Sequence, residues 1–559
     1  MKYSAKIISS LEKCFINDDI TLLKSINNLS CLKNEKLNFQ IAYTVYSDTL
    51  RDKKPAFFMI KSELNEFIKI YKVESVPCRF PVMHNTKELD YQKKEPYLYP
   101  DLLDEYIHSD NIYFVPNVLQ SLFIEINLDY NSLFHGEYTL ECIFFDSDNE
   151  ILYKTEISIE IINSYLDDEK IKYTQWFHSD CLSSYYNVKP LSEKHFKIID
   201  NFMKTASEYG INTILTPVLT PPLDTKIGGE RPTIQLVGIK KNGLKYEYNY
   251  DLLDKWINLC KKNSIEYFEI SHFFTQWGAK HAPKIIATVN GRKKRIFGWD
   301  TDSTSDDYVA FLRDFIKNLI IHLKKLNIDK KCIFHISDEP NEKTVDNYKA
   351  AKNTISDLLE DYLVTDALSS IEFYKQGIVK KPIPSTDKIH DFIELKVKNL
   401  WAYYCGGQYI DVSNRYIAMP SYRNRIIGAQ LYKYDIEGFL HWGYNFYYNQ
   451  YSRKLINPFL ITDADFFAPS GDAYTVYPGN DYNPLKSLRL LIFNEALQDI
   501  RAFKTLEKLT SYSHVISIIE EEIDELTFNN YPRNNDYILN LRKKINREIS
   551  QHIKDIKKI

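Results

Sequence analysis

The chain has 559 residues, 44% of them hydrophobic, with 71 basic and 75 acidic side chains giving a formal net charge of −4. That length carries an ample core and about two to four domains. The near-balanced charge argues against nucleic acid or an anionic membrane as the main partner.

The N-terminal stretch from Met1 to Cys14 has no apolar core of signal-peptide length, and no run of about eighteen apolar residues occurs anywhere, so the chain reads as cytoplasmic, without a membrane span. The eight cysteines are scattered, with no CxxC pair and no zinc-site spacing. They read as free thiols, and no metal or cofactor is expected. Residues 1–165 alternate with period two, as in 39–46, 122–128, and the hairpin formed by 138–145, the turn Asp146-Ser147-Asp148-Asn149 and 152–162. That pattern predicts an antiparallel β-sandwich. The polar segment 164–170 marks its boundary.

From 171 to 510 the rhythm changes to short apolar strands alternating with amphipathic stretches, the pattern of βα units on a parallel sheet. Strand ends are predicted near Trp176, Pro217, Ile270, Ile336, Thr365, Tyr404, Met419 and Trp442, and helices over 192–209, 250–263, 305–326 and 487–509. Eight strands over about 280 residues match a (β/α)8 TIM-type barrel. There is no glycine fingerprint or phosphate loop. The charged, amphipathic tail 511–559 is predicted to pack as helices on the barrel.

In such a barrel the loops after the strands carry function. The fourth strand, Cys332 to Ile336, ends in Ser337-Asp338-Glu339-Pro340. Two acids at the mouth of a buried strand are costly to desolvate, which marks them as catalytic candidates. Adjacent carboxylates can hardly straddle a glycosidic bond, as the usual glycosidase pair does. They suit the substrate-assisted variant, in which a 2-acetamido oxygen attacks the anomeric carbon. Glu339 would then move the protons, and Asp338 would hold the acetamide N–H and balance the oxazolinium charge. The other strand-end loops are rich in aromatic and polar groups. Trp277 and Trp442 are candidates to stack on a sugar or to pack in the core. His178, Asp180 and His272 could bind hydroxyls or make structural hydrogen bonds. Asp224 in its proline-rich loop suits a sugar hydroxyl or an Asx turn. Strand alternation puts Trp401, Tyr403 and Cys405 on one side and Tyr404 on the other. Tyr403 is favoured as donor to the acetamide carbonyl, with Tyr404 the alternative. Asn445 is a candidate ligand for a polar substituent. Arg423 and Arg425 follow the seventh predicted strand, with buried pairing to an acid as the simpler role.

Several stretches together resemble glycoside hydrolase family 123. They are 176–180, 215–225, 272–280, 334–340 and 438–447, with Val476-Tyr477-Pro478-Gly479 and 487–490 further on. The resemblance covers roughly 110–510. It implies a sandwich followed by a (β/α)8 barrel, a β-N-acetylgalactosaminidase activity, and the substrate-assisted pair carried onto Asp338 and Glu339. The expected partner is an oligosaccharide ending in β-linked N-acetylgalactosamine, such as one derived from a glycosphingolipid; a homo-oligomer is left open. Two rivals remain: a two-carboxylate glycosidase using Glu339 with a remote nucleophile such as Glu437, and a sugar-binding protein without turnover.

Overall fold

The computed structural model describes residues 2–49, 52–84, 86–107, 110–128, 134–168 and 170–556. Glu169 in the predicted boundary and the last three residues of the predicted tail lie outside them. The chain forms a mixed α/β fold and falls into two compact units, one of residues 1–169, 409–433 and 485–559, the other of 170–408 and 434–484. Among the described residues, no helix is long and apolar enough to cross a membrane.

The first unit contains two β-sheets. In one, the strands Lys2–Ser9, Lys36–Tyr46, Gln120–Asn127, Ile68–Cys78 and Tyr97–Glu105 pair antiparallel in that order. In the other, Asn28–Leu32, Ile151–Ile162, Gly136–Phe145, Lys54–Lys61 and Ile112–Phe114 follow one another, antiparallel except for the first pair. Alternate residues of both sheets meet in one core: Phe39, Ile41, Tyr43, Leu122, Ile124 and Ile126 from the first, Phe58, Leu140, Phe144, Ile157 and Ile159 from the second. This is the side-chain period of two that the sequence displays.

Strand Lys36–Tyr46 is buried on both faces. Its second face carries Asn38 and Gln40, and Asn38 donates to Glu495 at 2.9 Å. Glu495 lies on the helix Leu488–Leu509. The sequence pattern places the C-terminal helices on the parallel-stranded half. The structure groups them with the first unit, where helices Leu488–Leu509, Tyr512–Ile519 and Asn535–Ile556 share an apolar cluster with Leu11, Leu32 and Ile162.

The main sheet of the second unit is parallel. Lys172–Gln175 is central, with Thr213–Thr216, Tyr267–Ile270, Cys332–Phe334 and Leu363–Val364 to one side, and Gly438–His441 then Trp401–Tyr403 to the other. A separate parallel pair, Asp366–Leu368 with Pro382–Pro384, follows in sequence, and a single bridge joins Ser385 to Tyr403. Thr365 interrupts the fifth strand: its N–H donates to Phe334 O at 3.0 Å and its hydroxyl to Lys381 O at 2.6 Å. Helix Glu193–Glu208 is capped by Ser192 and buries Phe196, Ile199, Phe202 and Met203, the spacing of one helical face. Helices Asp251–Lys262 and Asp306–Lys325 follow the same rule.

The seventh strand is not where the sequence pattern puts it. Residues near Met419 form turns, and the strand missing from the pattern is Pro382–Pro384. Its two prolines read as breakers, yet proline is tolerated where a strand lacks a full ladder on one side, as this short strand does. Two antiparallel hairpins, Gly238–Asn242 with Lys245–Asn249 and Ile285–Val289 with Arg292–Phe297, are inserted between parallel strands.

Trp176, Leu215, Ile333, Ala367, Ile383, Trp401, Tyr403 and Leu440 converge in one apolar cluster, with Tyr267 and Leu363 against it. Trp401 pairs in register with Gly438, and a Cβ on Gly438 would lie 2.1 Å from the Trp401 ring. Only a glycine lets that indole lie across the neighbouring strand. Gly438→Ala is therefore expected to destabilise the protein by about 1–3 kcal/mol through overpacking, read as a lowered denaturant midpoint at unchanged slope.

Candidate active site

Strand Cys332–Phe334 is buried throughout, and the chain leaves it through His335 and Ile336 into Asp338 and Glu339. The loop after strand Tyr267–Ile270 clasps this exit. Phe274 N–H donates to Ile336 O at 3.2 Å, Ser337 Oγ to Thr275 O at 2.8 Å, and Trp277 N–H to Asp338 O at 3.0 Å. Gly278, at φ +121°, lies against Thr344, where a Cβ would meet the threonine Cβ at 2.5 Å. Here the loop needs glycine both for its dihedral and for its space. Glu339 itself adopts φ +44°, a left-handed conformation that costs a side-chain-bearing residue about 1 kcal/mol or more.

Both acids are half-buried. Burial raises the Asp338 carboxyl well above the ordinary carboxylate range; the nearby Glu339, Asp366 and Asp224 push the same way, and His335 opposes them. Glu339 is also raised, by burial first, then eased by a hydrogen bond from Tyr403 and raised again by Asp472. The Tyr403 hydroxyl donates to Glu339 Oε1 at 2.9 Å. Cys405, the one half-buried cysteine, lies beside the two acids and Asp472.

Tyr403 and Tyr404 point to opposite sides. Tyr403 joins the cluster with Trp401 and reaches Glu339, whereas Tyr404 is fully buried against Phe439 and His441, at 4.9 and 5.5 Å between ring centroids. Trp401 is 3% exposed, packed in the apolar cluster that also holds Tyr403. Trp277 is 37% exposed and stands edge-on to Tyr451 at 5.6 Å. Trp442 is half-buried, its indole N–H donating to Asp472 Oδ2 at 2.8 Å, while His441 Nε2 is 3.1 Å from the other oxygen of that carboxylate. Sequence reasoning passed over Asp472. It lies in an irregular loop, where no periodicity points to it.

A second polar centre joins His178, Asp180 and Arg231. Arg231 forks onto Asp180 with two bonds of 2.7 Å, donates to Leu223 O at 2.9 Å, and stands 3.3 Å from His178 Nδ1. Burial and the Arg231 charge lower His178 to about 4, so its imidazole is neutral near pH 7. Asn445 is committed to main chain: its amide accepts from His178 N–H at 2.8 Å and donates to His178 O at 3.2 Å. Asp224, at φ +37°, accepts the Tyr451 N–H at 3.1 Å, and its own N–H donates to Gln276 at 2.6 Å. Burial lifts its carboxyl to about 6.

His272 is buried and points away from solvent, its ring stacked on His335 at 4.7 Å between centroids. Burial, then the His335 charge, lowers its pKa well below the ordinary value. Among the described residues, His272, His335 and Asp366 form the one His/Cys/Asp/Glu group close enough to hold a metal ion, with candidate atoms within 4.8 Å of each other. Part of that donor set is already engaged, since His335 Nε2 is 3.0 Å from Glu269 and Asp366 accepts the Ile336 N–H at 3.0 Å and the Tyr348 hydroxyl at 2.5 Å. Arg423 and Arg425 belong to the first unit, where Arg423 lies 3.2 Å from Glu88 and Arg425 2.5 Å from Glu495.

Adjacent acids of raised pKa, with a tyrosine bonded to one of them, are the groups that acid–base chemistry uses. The model of the glycoside hydrolase 123 catalytic domain matches residues 176–506, and the chain belongs to that family. No curated protein matches it significantly in sequence. Among solved structures it is similar to a family 123 glycoside hydrolase from Clostridium perfringens, described for glycolipid glycan hydrolysis, at 16% identity and TM-score 0.72, covering 99% of this chain and 98% of that one. That likeness shows a shared fold. A Parabacteroides merdae β-glucuronidase, at 11% identity and TM-score 0.29 over 87% of this chain and 50% of that one, is too distant to carry an argument.

The Arg231–Asp180 pair is almost fully enclosed, with side chains 4% and 11% exposed. Asp180→Ala would strand a buried guanidinium and is expected to cost about 3–5 kcal/mol. Asp180→Leu combined with Arg231→Met should recover most of that loss in thermal melts.

Proposed function

We propose that this protein is an exo-acting retaining β-N-acetylgalactosaminidase that removes terminal β-linked N-acetylgalactosamine by substrate assistance. The observation that carries the reading is the adjacency of Asp338 and Glu339, with Tyr403 bonded to Glu339 and not to Asp338. Two carboxyls on neighbouring residues serve one face of a substrate, so the second group of the reaction must come from the sugar. In this reading Asp338 accepts the acetamide N–H. The acetamide oxygen attacks the anomeric carbon as its bond to the leaving oxygen breaks, and Glu339 gives its proton to that oxygen. Water then attacks the oxazolinium at the anomeric carbon while Glu339 takes back a proton, so configuration is retained. Tyr403 passes from Glu339 to the acetamide carbonyl when substrate enters, and Trp277 and Trp442 are the stacking surfaces.

The same reading joins the two groups of parallel strands into one closed (β/α)8 barrel, and the two N-terminal sheets into a β-sandwich. The cluster fed by all eight parallel strands and the bridge from Ser385 to Tyr403 support closure. The galacto preference and a glycolipid-derived glycan as substrate rest on the family and on the description of the Clostridium perfringens relative. A remote nucleophile at Glu437 is disfavoured: it pairs with Lys172 at the starts of strands Gly438–His441 and Lys172–Gln175, whereas Asp338 and Glu339 follow a strand end.

With p-nitrophenyl β-N-acetylgalactosaminide, Glu339→Gln and Asp338→Asn should each lower kcat/KM at least about a hundredfold. The matching β-galactoside, with a 2-hydroxyl for the 2-acetamido group, should be inert; its efficient cleavage would sink substrate assistance. Tyr403→Phe removes a bond that favours the Glu339 carboxylate. The acid form should then persist to higher pH, moving the alkaline limb of kcat/KM upward while the maximum falls.

A further inference from the structure

His335 is 1% exposed and precedes Asp338 by three residues at the same strand end. Two fully buried carboxylates flank its ring. Nε2 lies 3.0 Å from Glu269 Oε1 and Nδ1 lies 3.5 Å from Asp366 Oδ1, the second an ion-pair distance rather than a tight hydrogen bond. Each carboxylate is held by further donors. Glu269 accepts from Thr174 Oγ1 at 2.5 Å and from Trp176 Nε1 at 3.2 Å. Asp366 accepts from Ile336 N–H at 3.0 Å and from Tyr348 at 2.5 Å. Burial raises the Asp366 carboxyl, and the bonds from Tyr348 and Ile336 and the His335 charge oppose that rise; a buried carboxylate is stabilised by a cation beside it. His272, stacked on the other face of His335, is kept neutral by burial and cannot serve.

We propose that Glu269, His335 and Asp366 form a buried positioning relay in which a protonated His335 supplies the positive charge that favours the ionised form of Asp338 against its acidic neighbours. This rests on the reading of Asp338 as the carboxylate that holds the acetamide. Burial alone would drive the imidazolium to lose its proton, but the carboxylates of Asp366 and Glu269 outweigh it and lift His335 to about 10. Around Asp338, Glu339, Asp366 and Asp224 all favour the neutral acid, and His335 is the group that favours the anion. Without His335, Asp338 would hold its proton to still higher pH, and a neutral carboxyl balances no oxazolinium charge. Glu269 is a positioning residue at one remove: it fixes the ring and maintains its charge.

The test has one arm that needs no turnover. In the full-length protein labelled with 15N-histidine, the His335 ring, assigned by its loss in His335→Gln, should show both nitrogens protonated at pH 8; a neutral ring there overturns the relay. In kinetics, His335→Gln should raise the acid limb of the kcat/KM profile, so that the rate at pH 5 relative to its own maximum falls at least about tenfold below wild type. A folded His335→Gln variant with an unmoved acid limb also overturns it, since a merely structural histidine would lower the whole profile alike. Should that variant fail to fold, Glu269→Gln keeps an acceptor for the ring but removes its charge. Activity should then decline over the pH range in which NMR shows His335 losing its proton, and activity indifferent to that titration counts against the relay. If the wild type cleaves no 2-acetamido glycoside, the functional reading fails while the NMR arm still decides the charge on His335.

Discussion

Two carboxyl groups on consecutive residues at the end of a buried strand repel one another and resist desolvation, and the second unit is built around holding them there. The backbone of Asp338 is tied to Trp277, that of Ile336 to Phe274 and the Ser337 hydroxyl to Thr275, so one loop fixes the exit of another strand. Left-handed dihedrals gather at the same place, at Glu339, Trp277 and Asp224. Strain of that kind persists only where surrounding bonds over-determine the backbone. The clasp supplies them, and it leaves the Trp277 side chain partly exposed against Tyr451.

The strand and its acids are legible in the sequence because a short apolar run stops abruptly at two charges and a proline. The opposite facing of Tyr403 and Tyr404 follows from strand alternation alone. Other features are not legible, for physical reasons. Pro382–Pro384 hides as a strand because its two prolines read as breakers. A strand end near Thr365 is legible, whereas the resumption of that strand over Asp366–Leu368 is not. Met419 sits in an apolar stretch that packs as turns. Asp472, Arg231 and Glu269 reach the site through space, from loops or from a strand whose pattern marks burial and nothing else. The amide of Asn445 has the chemistry of a sugar ligand, and only the structure shows it spent on the His178 main chain.

Buried charge serves different ends in the two units. In the first, acids and guanidinium groups are matched: Glu495 and Asp499 with Arg425, Asp499 and Glu35 with Arg542, Asp101 with Arg489. Such networks set packing and register. In the second unit the balance fails. Asp338 feels Glu339, Asp366 and Asp224, Glu339 feels Asp472, and Asp366 shares His335 with Glu269, against Arg231, already engaged by Asp180, and His335. An uncompensated excess of buried acid is unfavourable for folding, and its concentration at one strand mouth marks the site more sharply than either acid does.

The proposed chemistry asks the two neighbours to differ: Asp338 charged, Glu339 protonated, in the same resting protein. Adjacent identical environments would leave one proton shared without preference. The surroundings here are unlike. Asp338 has His335 favouring its anion against burial, Glu339, Asp366 and Asp224, whereas Glu339 has the Tyr403 hydroxyl favouring its anion against burial and Asp472. Paired titratable groups acquire separate acid and base roles when their surroundings push them apart. Tyr403 tempers that asymmetry, because its hydroxyl favours the Glu339 carboxylate while substrate is absent. Once an acetamide carbonyl draws the Tyr403 hydroxyl away, Glu339 holds its proton more tightly until the leaving oxygen is in place to take it.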